Sequence, residues 1–599
     1  MQMSHPFTLS PDLAEKVRTY IQEESFSDFA NEARRLLQGA TSGNSNIISE
    51  LKARFDPPFR FGTAGFRARM EAGTARMNTV SVKKIAWAAA QYFGIGGHIV
   101  VGFDSRIHSH EFAECAAGIL IGAGLKVSIF DTPTATPILS FAIRHFGATG
   151  GIMITASHNP PKDNGIKIYS REGAQVTRNE EVAIEQRLDA APSIADIKNL
   201  DLKAQSESGF RYVLNDKLLD AYKAYVRSKR WFDQPDIPFS RSPHRGFAIA
   251  YTPLHGVGAR FVESLAHDEG FNNLHAVPSQ RAPDGRFPTV AYPNPEEHGA
   301  LDEAIHLAMQ ISAEIIVAND PDADRLAVMV KQKKDVSEAK TAQWRMLNGN
   351  EVGVLLGFHT LKQNKATDAD SGRKILLMST VVSSRMLSCI ANAEGASYDD
   401  TAPGFSRIMK CVREREATCN ERFVFGYEEA LGYCFGNPIF DKDGIYALMR
   451  ILELAAHLHA SSKTLSNELD ELALKYGVFR SLQWWNRYEG HDAQDIMADA
   501  MAKWRNELKT LGNFAGLSTQ SVKDWQTPQK TYLDPADILE IQLDEDTRLV
   551  LRPSGTEPKL KFYLEMRGKA DSLSMLEKEK ERLDDALQDV KKKIVSFCS

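Results

Sequence analysis

Apolar runs of five or six residues alternate with amphipathic stretches of about 10–15 residues, the pattern of strands interleaved with helices in a largely parallel sheet. Residues 98–103 (His-Ile-Val-Val-Gly-Phe), 126–130 and 151–155 read as buried strands. Helical spacing over 82–93, 111–122 and 136–146 predicts helices between and around them. The pattern restarts with strands at 247–251, 273–277 and 314–318 and helices at 258–269 and 299–311. A third round has a helix at 350–361, a strand at 374–378, a helix at 383–392, a strand at 423–425 and a long helix from about 443. Ahead of all three, 11–55 reads as two helices, opened by Ser10-Pro11 as N-cap and first helical proline. The tail differs: two charged helices flank a β-rich stretch at 538–543, 548–552 and 559–567. No short-period repeat is visible.

The length, 599 residues, suggests about four domains at roughly 150 residues each. Composition shifts at 231–245, where Pro, Asp and Ser cluster, so a boundary is placed there; 331–341 reads as a hairpin tip or exposed loop. The expected domains are 1–237, 238–345, 346–460 and 461–599. With 43% hydrophobic and 25% charged residues, the chain is neither disordered, fibrous nor membrane-embedded. Its apolar runs, such as 375–382, stop short of the ~18 residues a span needs. Lys+Arg number 72 and Asp+Glu 78, a net charge of −6 that leaves no basic footprint for nucleic acid. An anionic ligand must then be held by a local site. Six cysteines without a C-x-x-C pair exclude a zinc ribbon or thioredoxin-like motif and suit a reducing cytosol. Residues 1–10 show no signal-peptide pattern. A soluble cytoplasmic protein is expected.

Four strand-end loops carry chemistry. Thr155-Ala156-Ser157-His158-Asn159-Pro160 presents a hydroxyl on a stiff exposed loop, a nucleophile or phosphate carrier with His158 or Lys167 to handle the proton. The bland alternative is a turn in which Ser157 only satisfies backbone groups. Asp320-Pro321-Asp322-Ala323-Asp324-Arg325 sets three carboxylates at i, i+2 and i+4, aligned on one face if the backbone is extended and spaced as ligands for a hard cation. A solvated acidic turn, or an aspartyl-phosphate nucleophile at Asp320, are the alternatives. Gly426-Tyr427-Glu428-Glu429-Ala430-Leu431-Gly432-Tyr433 offers paired acids for vicinal hydroxyls, although acids at a helix N-terminus would look the same. Leu551-Arg552-Pro553-Ser554-Gly555-Thr556 reads as a phosphate nest or an ordinary tight turn.

In this order the four loops, with Phe61-Gly62-Thr63-Ala64-Gly65-Phe66-Arg67 ahead of them, resemble the α-D-phosphohexomutase superfamily over most of the chain. The resemblance implies an α/β fold of four domains: three mixed α/β sheet domains of related fold and a C-terminal α+β domain around a central cleft. It implies a phosphoserine at Ser157, with Ser157, Asp320, Asp322 and Asp324 as Mg2+ ligands. Arg67, His158, Lys167 and Arg325 match positions lining the active site, Lys167 as general acid/base. Glu428, with Glu429 beside it, matches the sugar contact, and Arg552, Ser554, Gly555 and Thr556 match the distal phosphate grip.

The implied activity is interconversion of a sugar 1-phosphate with its 5- or 6-phosphate. Mg2+ and a sugar bisphosphate such as glucose 1,6-bisphosphate are the expected cofactors. Sugar phosphates are the expected partners of a monomer that binds neither nucleic acid nor membrane. The chain looks closest to the phosphopentomutase and glucose-1,6-bisphosphate synthase branch, so a synthase using 1,3-bisphosphoglycerate is the alternative within the family. An aspartyl-phosphate phosphatase or a silent sugar-phosphate sensor is the alternative outside it. Two positions depart from the pattern: Ala430 stands where hexose-preferring members commonly have serine, and Ser406, followed by Arg407, where the branch usually has lysine.

Overall fold

In the computed structural model, three of four main sheets repeat one arrangement. The structure describes residues 9–62, 64–200, 210–213, 215–232, 246–332, 344–367, 372–488, 493–508, 513–514, 517–528, 530, 532–554 and 559–598.

In the first sheet, Gly150–Ile154 lies between the antiparallel Asp163–Ser170 and the parallel His98–Phe103, with Lys126–Phe130 beyond. The second repeats that order with Ala327–Lys331, Ile315–Ala318, Ile249–Thr252 and Leu274–Ala276. The third repeats it with Gly432–Cys434, Glu421–Glu428, Lys374–Thr380 and Ser397–Thr401. The antiparallel edge follows from chain economy, because a tight turn can join antiparallel neighbours whereas parallel ones need a crossover. In all three, the turn entering the antiparallel strand carries one of the loops singled out above.

The fourth sheet is wholly antiparallel: Val478–Arg487, Lys559–Gly568, Thr547–Pro553, Leu539–Gln542 and Ser521–Asp524, in that order. Helices Ala493–Glu507 and Leu573–Cys598 accompany it. The architecture is therefore four-domain α/β, with three related mixed sheets and a distinct C-terminal domain. One apolar core runs continuously through the first three sheets, while the fourth has its own. The C-terminal domain meets the third through a small apolar cluster, Val381, Val382 and Ala402 against Trp525, Ile538 and Val550, and through polar contacts: Arg385 pairs with Glu565 at 2.9 Å, and Arg548 donates to the Ser383 carbonyl at 2.7 Å.

Several expectations need correction. The opening segment forms three helices, Pro11–Glu23, Ser27–Thr41 and Ser45–Phe55, because Asn44 caps a third one after the left-handed Gly43. The acid pair lies at a strand end, not a helix start: Glu421–Glu428 turns straight into Gly432–Cys434. The compositional break and the polar insert lie largely outside the described residues, since 233–245 and 333–343 are not among them. Among the described residues, no helix is long and apolar enough to cross a membrane.

Candidate functional site

Ser157 follows Gly150–Ile154 in a left-handed conformation (φ 52°), a strained geometry for a residue with a Cβ. Its N–H donates to Thr155 Oγ1 at 2.8 Å. The expected exposed serine is in fact 1% exposed, because the second domain closes over it. Its hydroxyl donates to Asp320 Oδ2 at 2.6 Å, across 163 positions of sequence. His158 Nδ1 lies 3.2 Å from the same Oγ, and His158 Nε2 lies 3.4 Å from Arg325 Nη2. An arginine can only donate, so this contact makes Nε2 the acceptor and puts the imidazole proton on Nδ1, facing the serine. Burial, then Arg325 and Arg67, hold the His158 pKa well below its ordinary value, so the ring is neutral.

The aspartates converge as expected, but through a tight turn, not extended backbone. Ala323 is left-handed (φ 56°) and its N–H closes on the Asp320 carbonyl at 2.9 Å. All three carboxylates are buried, and one oxygen from each falls within 4.8 Å of the others. Lys167 Nζ bridges Asp322 Oδ2 at 2.7 Å and Asp324 Oδ2 at 2.9 Å. Thr136 Oγ1 donates to Asp322 at 2.6 Å, and Lys442 Nζ lies 3.2 Å from Asp324. Burial opposes ionisation throughout. At Asp320, repulsion from Asp322 and Asp324 adds to burial and raises the pKa well above the carboxylate range. At Asp322 and Asp324 the attraction of Lys167 outweighs burial and lowers it.

Two kinds of buried atom lack partners here among the described residues. Asp322 Oδ1 and Asp324 Oδ1 accept no hydrogen bond, while Arg67 Nε and Arg325 Nε donate none. An unsatisfied buried polar group costs about 1–3 kcal/mol, more when charged. A divalent cation would satisfy the acceptors and a phosphate the donors. The all-oxygen donor set, Ser157 with the three aspartates, suits Mg2+.

Ser157, His158, Arg67, Asp324, Arg325 and Glu428 all line one cleft of about 570 Å3. Arg67 reaches it from the edge strand Phe66–Arg69, its Nη1 donating to Asn159 Oδ1 at 3.1 Å. Glu428 accepts from the Gly404 N–H at 2.6 Å, and burial raises its pKa. Glu429 turns away from this cleft, 3.3 Å from the hydroxyls of Thr380 and Ser383, into a smaller cavity against the C-terminal domain. Arg552 stands at the end of Thr547–Pro553, and its charge reaches Glu429 and Arg407, but it does not line the cleft. Ser554 is buried, its N–H donating to the Lys559 carbonyl at 2.8 Å. Gly555 and Thr556 lie outside the described residues.

Two cations outside the four loops also serve the site. Arg106 is buried and donates to four carbonyls of the serine turn: Ser157, Asn159, Pro160 and Asp163, at 2.5–2.9 Å. Asp104 holds Thr155 and Ser109 on the other side, at 2.6 and 2.7 Å. Lys442 lines the cleft over the Phe405 ring. A signal existed for Arg106: Asp104-Ser105-Arg106 leaves strand His98–Phe103 where the strand order reverses, the position at which open α/β sheets gather ligands. For Lys442, in Asp441-Lys442-Asp443, no comparable signal exists.

Comparison with known proteins agrees with this geometry. Family descriptions of phosphoglucomutase/phosphomannomutase match in order: alpha/beta/alpha domain I at 59–194, domain II at 222–333, domain III at 348–476 and the C-terminal domain at 515–583. A Haemophilus influenzae protein named "Probable phosphomannomutase" is 36% identical over 503 residues, 82% of this chain and 93% of that protein. The Homo sapiens phosphopentomutase is 32% identical over 550 residues, 86% of each chain. The crystal structure of a phosphoglucomutase/phosphomannomutase family protein from Burkholderia thailandensis shares the fold, with TM-score 0.61 at 20% identity over 88% of this chain and 97% of that one. With all four domains present, the chain belongs to the phosphoglucomutase/phosphomannomutase family of the α-D-phosphohexomutase superfamily, whose members are intramolecular phosphotransferases.

Proposed function

We propose that this protein is a Mg2+-dependent phosphosugar mutase that moves a phosphoryl group between C1 and C5 of a pentose or C1 and C6 of a hexose, through a phosphoserine at Ser157 and a bisphosphate intermediate. The observation carrying it is that two complementary kinds of unsatisfied atom gather at one site with a buried hydroxyl: carboxylate oxygens that accept nothing and guanidinium nitrogens that donate nothing. We also place the domain limits at 1–237, 238–345, 346–460 and 461–599, and the setting in the cytoplasm. The relatives named for phosphopentose and phosphomannose chemistry support the reaction class.

Phosphoryl transfer asks mainly for positioning and charge stabilisation. The cation, held by Ser157, Asp320, Asp322 and Asp324, would supply Lewis-acid stabilisation of charge on the phosphoryl oxygens. Asp320 holds the Ser157 hydroxyl proton and fixes the direction of Oγ. His158 donates from Nδ1 to the same oxygen. Arg67 and Arg325 present their free N–H groups to the phosphoryl oxygens. Lys167, buried against Asp322 and Asp324, holds a proton at Nζ for exchange with the sugar oxygen. Glu428 accepts from sugar hydroxyls, and its raised pKa makes that bond pH-dependent. The distal phosphate is gripped by Arg552 with Ser554, Gly555 and Thr556. Because the bisphosphate must be held in either orientation, that grip has to read phosphate more than sugar.

Intact-mass measurement after incubation with a sugar bisphosphate and Mg2+ tests this reading. One added phosphate is expected on the wild type and none on Ser157→Ala; a phosphate retained by the alanine variant would refute it. A phosphorus-NMR panel of ribose, deoxyribose, glucose and mannose 1-phosphates then identifies the sugar.

A further inference from the structure

Among the described residues, Arg407 is a cation without a counter-ion. It lies in the first turn of helix Phe405–Thr418, which begins beside the cleft: Gly404 and Phe405 line it, and Gly404 donates to Glu428. Its Nη1 is buried and has no hydrogen-bond partner, and among the described residues its guanidinium makes no ion pair. The acids whose charge reaches it are engaged elsewhere: Asp534 with Lys410, and Glu181 with Arg178 at 3.1 Å. The other charges acting on it, Arg552 and Arg178, are positive.

A half-buried guanidinium near like charge, with one buried donor idle, carries a cost that an anion would remove. The side chain projects from a helix start that also shapes the cleft wall. An anion placed between Arg407 and Arg552 would be held by guanidinium groups from two different domains. Planar, forked donors of this kind match phosphate oxygens, where an ammonium offers only a point charge.

We propose that Arg407 is the third domain's binding residue for the substrate phosphate held away from Ser157, acting opposite Arg552. This rests on the mutase reading above, and it makes the distal phosphate site a joint between two domains. Ser406 cannot supply a cation there; the neighbouring Arg407 supplies one from the next position of the helix.

The test uses the full-length Mg2+-loaded protein and the variants Arg407→Ala, Arg407→Lys and Arg552→Ala. Calorimetric titration with inorganic phosphate and tripolyphosphate reads binding without turnover, and steady-state kinetics on the best sugar 1-phosphate of the panel reads KM. For Arg407→Ala we expect anion affinity to fall and KM to rise by about 10- to 100-fold, the range for a lost charge-assisted bond. Unfolding midpoint should be unchanged, and saturating bisphosphate should still phosphorylate Ser157. Arg407→Lys should recover part of the loss, and Arg407→Ala combined with Arg552→Ala should be non-additive. Wild-type KM and anion affinity in Arg407→Ala, or simple additivity with Arg552→Ala, would overturn the proposal. If Arg407→Ala does not fold, Arg407→Lys with wild-type anion affinity and KM would overturn it. Anion binding that depends on Arg407, in a wild type that turns over no sugar phosphate, would sink the mutase reading and with it the distal-substrate role, leaving Arg407 an anion-binding residue only.

Discussion

Replacing Lys167 by methionine keeps a long side chain at this buried position and deletes its charge. The ammonium lies 2.7 and 2.9 Å from two carboxylates, and all three groups are 1% exposed or less. Removing one partner of a buried ion pair costs about 3–5 kcal/mol, because the remaining charge stays desolvated. Here two carboxylates lose their bridging cation, with Lys442 and Thr136 left as partial compensation. In chelator-treated protein the expected destabilisation lies in that range. About 1 kcal/mol moves the midpoint of a unit of 150–250 residues by roughly 2–4 °C, so the lowest calorimetric transition should fall by about 10 °C.

Two rescues follow from the same physics. Mg2+ should stabilise the variant more than the wild type, since no ammonium competes for the carboxylates and bound ligand adds stability as RT ln(1 + [L]/Kd). Mild acid should also help the variant relative to the wild type. Without Lys167, burial raises the pKa of Asp322 and Asp324 in the folded state, and protonation then relieves the repulsion. Scanning calorimetry with chelator, with Mg2+ and across pH measures all three effects. A midpoint within 2 °C of the wild type in chelator (under about 1 kcal/mol by the same scaling), or equal Mg2+ stabilisation of both proteins, would refute the reasoning.

Arg106→Ala should leave four carbonyls of the serine turn without their donor and reduce transfer to Ser157 by about 100-fold or more, the scale of a misplaced reacting group. Arg106→Lys should rescue little, since an ammonium cannot fan across four acceptors; single-turnover kinetics and amide exchange at 157–160 would check both. Asp443, which caps helix Gly444–Ala460 and accepts from Tyr222, has its pKa pushed up to about 7 by burial. Its folded pKa exceeds its unfolded one, so the native state binds more protons between about pH 4 and 7. This group's contribution to stability therefore falls as pH rises through that window, by at most about 4 kcal/mol. Asp443→Asn keeps a capping side chain and should flatten that slope in denaturant titrations run across the window.

The parts of the fold visible in the sequence are those where one local signal decides. His98–Phe103 is a nearly unbroken apolar run, Lys126–Phe130 a short β-rich one, and both end where the pattern predicts. Asp163–Ser170 was passed over because Asp-Asn-Gly at its start reads as a turn, yet tertiary pairing on both sides makes it a strand. Ser397–Thr401 looks like a loop by composition and is a strand only because Lys374–Thr380 offers it a parallel partner. Helix Phe405–Thr418 went unread because its charges dilute the apolar period.

The site divides the same way. The serine, aspartate and glutamate turns were legible because each concentrates its chemistry within a few residues. Lys442 and Arg106 act on partners more than 50 positions away; Arg106 is marked only by its place after a strand end where the strand order reverses, and Lys442 by nothing local. The burial of Ser157 was equally invisible, since it depends on a second domain.

The hydrogen bond between Ser157 and Asp320 also sets a timetable. The two residues are 163 positions apart, and ribosomes add about 5–20 residues per second. For roughly 5–20 seconds of synthesis after its last strand, Phe210–Val213, the first sheet can be finished while the carboxylate that aims its hydroxyl has not yet been made. The glutamate turn emerges later still, and the arginine strand of the last sheet after that. A chain abandoned partway holds a serine whose turn Arg106 and His158 can order but whose proton no aspartate accepts, so an interrupted translation leaves an inert fragment and not a stray phosphate carrier.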